Sequence, residues 1–214
     1  MPLPKAVLFD LDNTLHSLTA ARLAAVSAVA AWLGDAGGDL PFLFLHNDKP
    51  GMPEDVLSAF LTGKNRQDET AAASVLYHTL ERSCITPFPG IPDLLTKLRN
   101  AGIRLAVITN SDPDEAALRL ASLDLAGFFE TVITPQTFGI KKPDPAVYRN
   151  TLELLGVDTA DAVMIGDRPD RDVEPARAAG IRAIHAAYGT LGKREEEGVD
   201  EAGDIWKKLC FLNR

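Results

Sequence analysis

The chain is 214 residues long, 46% hydrophobic and 24% charged, with a formal net charge of −8, enough to build a substantial core in one large domain or in a core domain carrying a smaller insert. The acidic balance and the lack of any basic stripe exclude a protein that wraps a nucleic-acid backbone. Cys84 and Cys210 are too few and too distant for a disulfide framework, so reduced thiols in a cytoplasmic protein are expected.

The first element is a strand at Ala6-Val7-Leu8-Phe9, which runs straight into Asp10-Leu11-Asp12-Asn13-Thr14. No basic region, apolar stretch and cleavage site precede it in the order of a targeting signal. Side chains two apart on a strand share a face, so Asp10 and Asp12 repel each other unless positive charge lies between them. An ordinary turn accounts for Asn13 and for Asp12. It leaves Asp10, directly behind a buried-looking run, without a structural reason.

From Leu15 to Phe88 the pattern is helical, with helices predicted near Leu18–Leu33, Pro53–Leu61 and Asp68–Ser83. The first is Ala-rich but contains Arg22 and is short for a membrane span; a buried helix suits it better. Pro41-Phe42-Leu43-Phe44-Leu45 is apolar but lacks the alternation of a strand. This stretch, residues 15–88, reads as a helical insertion placed after the first strand. His16, His46 and His78 fall within it, and a lone histidine is more often structural than functional.

Beyond Pro89, helices and strands alternate. Pro92–Arg99 is an amphipathic helix closed by Gly102, followed by a strand at Ile103–Ile108. Asp112-Pro113 and Asp144-Pro145 both read as helix starts, with Asp capping and Pro at the first helical position. Further strands are expected at Thr131–Ile133, Asp161–Ile165 and Ile181–His185, with a helix over Asp170–Ala179. The charged run Lys193–Glu197 reads as a solvated face, and a final helix near Gly203–Leu209 is expected to pack back through Trp206. Strands separated by helices indicate an α/β fold, a Rossmann-like parallel sheet formed by residues 1–14 and 89–214.

Ligands of such sheets bind outside the carboxyl ends of the strands. Those ends carry Asp10 and Asp12, then Thr109-Asn110-Ser111, then Gly166-Asp167, while Lys141-Lys142-Pro143 precedes the helix at Asp144. Asp10 and Asp167, with a backbone carbonyl and waters, would make an all-oxygen site suited to Mg2+. Thr14 and Thr109, with backbone amides, would hold phosphate oxygens. Asp10 would then attack phosphorus, as carboxylates that form an aspartyl-phosphate do.

In these motifs the chain resembles the haloacid dehalogenase superfamily, specifically its phosphatases with a helical cap inserted after the first motif. Asp10-Leu11-Asp12-Asn13-Thr14 matches DxDxT, Thr109 the second motif, Lys142 the third, and Gly166-Asp167 with Asp172 the fourth. All four stand in family order and span almost the whole chain. The resemblance implies that Asp10 is nucleophile and metal ligand. Asp12 is then the general acid and base, and also a ligand through its backbone carbonyl. Thr109 and the Asn110 backbone hold the phosphoryl group, Lys142 steadies Asp10 and the phosphate, Asp167 binds Mg2+, and Asp172 serves the metal site from behind its direct ligands or through water.

Asp170 does not fit the spacing. Asn13 stands where the family often has Gly, and it tolerates the same left-handed geometry. The dehalogenases and the phosphonate-cleaving branch lack an aspartate at the Asp12 position, and the mutases commonly lack the threonine found at Thr14. The implied activity is therefore magnesium-dependent hydrolysis of a small soluble phosphate monoester, with no membrane or nucleic-acid partner, by a monomer or homodimer. A phosphotransferase or mutase, or a non-catalytic phosphate-binding regulator, are the alternatives.

Overall fold

The first strand, β1 (Ala6–Phe9), is buried at every residue. A strand with neighbours on both sides and helices on both faces has no solvent face, so its sequence is a continuous apolar run rather than an alternating one. The structure is a computed structural model that describes residues 3–35, 37–45, 53–190, 195 and 197–211; His46 and Lys193, Arg194 and Glu196 of the charged run lie outside them. Two compact units divide the chain, Met1–Ser17 with Thr86–Arg214, and Leu18–Ile85.

The second unit is helical: α1 (Leu18–Leu33), α2 (Asp39–Leu45), α3 (Pro53–Gly63) and α4 (Thr70–Cys84). In α1 the residues Leu18, Ala21, Ala25, Val29 and Leu33 are buried, a spacing of three and four that places them on one face. Ala25, Val29 and Leu33 pack with Leu57, Phe60 and Leu61 of α3 and with Ala73 and Tyr77 of α4. Arg22 of α1 donates to the buried Glu81 of α4 at 2.9 Å. The apolar run at Pro41 folds as helix α2, whose start is fixed by Asp35 Oδ2 accepting the Leu40 amide at 2.9 Å. Among the described residues no helix is long and apolar enough to cross a membrane.

The first unit continues with α5 (Ile91–Asn100), β2 (Arg104–Ile108), α6 (Pro113–Ser122), β3 (Thr131–Ile133), the single turn α7 (Pro135–Phe138), α8 (Pro145–Leu155), β4 (Ala162–Gly166), α9 (Glu174–Ala178), β5 (Arg182–His185) and α10 (Ile205–Phe211). The strands form one parallel sheet in the order β3-β2-β1-β4-β5. In register, Phe9 stands between Val107 and Ile165. Ala6 and Leu8, Ala106 and Ile108, and Ala162 and Met164 form one face, covered by Val147, Tyr148, Leu152 and Leu155 of α8 and Ala176 of α9. Asp112 and Asp144 cap their helices by accepting the amides of Asp114 and Ala146. Gly102, at φ 74°, supplies the left-handed residue after α5.

Two expectations change. The helix predicted from Asp170 begins only at Glu174, because Pro169–Val173 winds as one wide π-type turn, a coil often found at functional sites. The last helix turns Ile205 and Leu209 inward and leaves Trp206 half-buried; two aliphatic residues four apart define its inner face better than the single large ring.

Candidate active site

The sheet order places β1 where the chain reverses direction across the sheet, with β2 on one side and β4 on the other. This is the crevice in which open parallel sheets bind ligands. Asp10, Thr109 and Asp167 each follow the carboxyl end of one of these three strands.

Asp10, Asp167 and Asp172 are all buried, with a carboxylate oxygen from each lying within 4.8 Å of the others. Lys142, 4% exposed, donates from Nζ to Asp10 Oδ1 at 2.5 Å and to Asp172 Oδ1 at 2.7 Å. Thr14 is fully buried. Its hydroxyl accepts the Asp167 amide at 3.0 Å and donates to Asp10 Oδ2 at 2.9 Å, so both oxygens of Asp10 are held. Asp172 Oδ2 accepts the Arg168 amide at 3.0 Å. The wide turn folds Asp172 back over Gly166, where an added β-carbon would lie 2.4 Å from the Asp172 Cβ. The glycine is required by that approach.

Asp12 stands apart from this cluster. Its Oδ1 lies 3.1 Å from His16 Nε2, its Oδ2 accepts from Ser111 Oγ at 2.7 Å, and Arg119 Nη1 reaches both oxygens at 3.2 and 3.1 Å. Thr109 Oγ, nearly buried, accepts the Ser111 amide at 3.0 Å. The Asn110 side-chain amide clamps the Lys142 backbone, donating to its carbonyl at 2.9 Å and accepting its amide at 3.0 Å. Asp170 pairs with Arg168 in solvent, at 2.9 Å. His78 belongs to the helical unit.

The loop carrying the two aspartates is held from the far end of the chain. Asn13 adopts φ 62°. Gly189 packs so close to it that a β-carbon there would fall 1.6 Å from the Asn13 carbonyl oxygen, and Tyr188 donates its hydroxyl to the Thr14 carbonyl at 2.9 Å.

The electrostatics of the two aspartates diverge. Burial pushes Asp10 up to about 7, with Lys142 opposing and Asp172 and Asp12 adding to the rise. Burial, then the charges of Asp10 and Asp172, push Asp167 up to about 8. For Asp12 burial acts upward too, but the His16 hydrogen bond, the charge of Arg119 and the Ser111 hydroxyl together hold it down at about 2. Lys142 is raised despite burial by Asp10 and Asp172. One lysine against three carboxylates leaves negative charge uncompensated, and the Asp167 carboxylate has no hydrogen-bond donor among the described residues. Clustered oxygen donors with excess negative charge fit a hard divalent cation.

A stability prediction follows from these shifts. Between the ordinary carboxylate value of 3.8 and about 7 to 8, the folded metal-free chain holds protons on Asp10 and Asp167 that the unfolded chain releases. Their contribution to stability must therefore fall as pH rises through that window. Asp12 acts in the opposite sense: its contribution is present above 3.8 and lost as pH falls towards about 2. Urea unfolding in chelator should show stability declining from pH 5 to pH 8, with Asp167→Asn flattening the decline. A wild-type profile rising with pH over that range would contradict the assignment.

Sequence reasoning located the acids and the lysine but not Arg119, nor the bond from Ser111 to Asp12 or the Asn110 side-chain clamp. The signal for Arg119 was present: it occupies the buried stripe of α6 with Ala116 and Leu120, where a lone arginine needs a buried partner.

A family model described as haloacid dehalogenase-like hydrolase matches residues 4–180. Among curated relatives, the glyceraldehyde 3-phosphate phosphatase of Methanocaldococcus jannaschii is 28% identical over 96% of this chain and 98% of its own. The phosphoglycolate phosphatase of Pseudomonas savastanoi is 31% identical over 87% of this chain and 71% of its own. Among solved structures, a HAD-superfamily hydrolase of subfamily IA from Geobacter sulfurreducens superposes with a TM-score of 0.74 at 22% identity, covering 96% of both chains.

Proposed function

Because the chain belongs to the haloacid dehalogenase-like hydrolase family, we propose that it is a magnesium-dependent phosphatase that hydrolyses a small phosphate monoester through an aspartyl-phosphate on Asp10. The carrying observation is the pair of aspartates two residues apart with opposite environments. Asp10 is fixed by Lys142 and Thr14, and Asp12 by a separate set of donors. Such a split between neighbouring carboxylates is the mark of divided roles.

Asp10 attacks phosphorus and the bond to the ester oxygen breaks, with the departing oxygen taking a proton from Asp12. Water then attacks the aspartyl-phosphate, Asp12 takes its proton, and phosphate leaves the regenerated Asp10 carboxylate. Lys142 orients Asp10 and offsets charge on the phosphoryl group, joined by the Thr109 hydroxyl and the backbone N–H of Asn110. Thr14, its hydroxyl engaged by Asp10 and the Asp167 amide, acts mainly by aiming the nucleophile. Asp10, Asp167 and the Asp12 carbonyl would hold Mg2+, with Asp172 close by, and the bound ion would neutralise phosphate charge. Without substrate Asp12 is held ionised, the state that the base of the second step requires, so the proton it gives in the first step must be taken up as the phosphate ester binds.

Activity in excess chelator should drop to background and return with Mg2+. Ca2+ should inhibit, since its larger and looser coordination disturbs the in-line alignment. Full turnover in chelator would remove the metal from the proposal. The two exposed free thiols suit a reducing cytoplasm, and the names of the relatives point to small phosphorylated metabolites as substrates.

The helical insertion is proposed to set substrate choice. Its flanks are adjacent in the core: the Leu15 carbonyl accepts the Phe88 amide at 3.0 Å, and His16 bridges Pro87. A short linker can therefore replace residues 18–85. The shortened chain should fold, with its kcat/KM ratios among phosphate esters shifted by about tenfold or more. An unchanged substrate ranking would show that specificity lies elsewhere.

A further inference from the structure

We propose that Arg119 is a positioning residue for the second half of the reaction, holding Asp12, through direct contact and through Ser111, in the orientation from which it activates water. The inference rests on the phosphatase reading above and adds to it a residue that none of the sequence motifs contains.

The geometry is specific. One nitrogen, Arg119 Nη1, lies within hydrogen-bond distance of three acceptors: Asp12 Oδ1 at 3.2 Å, Asp12 Oδ2 at 3.1 Å and Ser111 Oγ at 3.0 Å. The Ser111 hydroxyl passes its own hydrogen to Asp12 Oδ2 at 2.7 Å, so the carboxylate is gripped directly and through a relay that starts at the same nitrogen. Arg119 is 8% exposed on the inner face of α6, and its second terminal nitrogen, Nη2, reaches Glu115 at 3.4 Å. A planar guanidinium locked at both ends leaves little rotational freedom to the group it holds. On the other side His16, fully buried, presents Nε2 to Oδ1, while its Nδ1 has no partner among the described residues. The Nε2–H tautomer meets that arrangement with no donor left stranded. Among the described residues, three side chains from two segments thus fix Asp12, and only Arg119 reaches both of its oxygens.

A group that aims the water-activating base is needed after the aspartyl-phosphate has formed, whereas a good leaving group departs without help from Asp12. With p-nitrophenyl phosphate under rapid mixing, Arg119→Ala should therefore keep a burst of p-nitrophenol close to one per active site. Its steady rate should slow by about 10- to 100-fold, the range expected when a directly coupled pair is broken. Ser111→Ala, which removes the relay without emptying a buried charge site, should show the same pattern more weakly, and Arg119→Lys should recover part of the loss.

The deciding comparison is made in the Asp12→Asn background, where adding Arg119→Ala should cost no more than about twofold. A burst and steady rate that fall together in both Arg119→Ala and Ser111→Ala overturn the proposal. So does a full further loss on top of Asp12→Asn. A wild-type chain that turns over no phosphate ester overturns the phosphatase reading and this inference with it, whereas turnover with additive Arg119 effects overturns this inference alone.

Discussion

Asp10→Asn is expected to reduce turnover of every phosphate ester by on the order of 10⁴- to 10⁶-fold, the scale of losing a nucleophile outright. The substitution is close to isosteric, and the fold should survive it. Asp10 is buried, and Lys142 can still donate to the amide oxygen where it now donates to Oδ1, with the amide nitrogen turned to the Thr14 hydroxyl, which can accept. Lys142 keeps Asp172 at 2.7 Å. Removing one of three clustered carboxylates also relieves repulsion with Asp167 and Asp172, so in chelator at pH 8 the variant should unfold at a urea concentration no lower than wild type. No covalent phosphate should be trapped by rapid acid quench. An Asp10→Asn protein that still forms acid-stable phosphoprotein would assign the nucleophile elsewhere.

Asp12→Asn should lose about 10²- to 10⁴-fold, but unequally between substrates. An alkyl phosphate leaves as a basic alkoxide and needs the proton, so its first turnover should fall by nearly the whole factor. p-Nitrophenyl phosphate leaves as a stabilised phenolate, so its aspartyl-phosphate should still form while hydrolysis of that intermediate slows. The expected signature is a burst of p-nitrophenol followed by a slow steady rate, with no burst from the alkyl ester. Asparagine also changes what Arg119 and His16 face, since a carboxylate receiving several donors becomes a neutral amide. Circular dichroism and unfolding of the variant should accompany the kinetics. Equal loss of the first turnover on both esters would confine Asp12 to structure or metal binding.

The sheet was readable because buried parallel strands are spelled as short apolar runs, and because Asp-Pro pairs mark where α6 and α8 begin. The acids and Lys142 were readable because they sit at strand ends or beside a proline, positions where packing alone gives no reason for a charge. Asp10, Lys142, Asp167 and Asp172 do converge. What escaped was whatever depends on distance through space. Nothing local to Asp172 shows that it closes over Gly166, since this takes a π-type turn that no residue pattern announces. Arg119 lies 107 positions from Asp12, and the pairing exists only once β1 and β2 are neighbours. Pro41–Leu45 was not assigned a helix from its sequence for a different reason: its helix is set by the Asp35 cap and by packing within the helical unit, which override a weak local preference.

The central strand is also the earliest in sequence, and this has a consequence for synthesis. β1 pairs with β2 and β4, and the loop after it is clasped by Tyr188 and Gly189. On a ribosome adding about 5–20 residues per second, roughly 10–40 s separate the emergence of Asp10 from that of its last partner. During that interval an apolar strand has no sheet to join, and the helical unit, whose contacts fall within residues 18–85, is complete long before the sheet that surrounds it in sequence. High sequence separation of this kind slows folding. The brevity of the waiting strand, four apolar residues between Lys5 and Asp10, is then a safeguard against premature association: it is too short, and too closely flanked by charge, to template another chain.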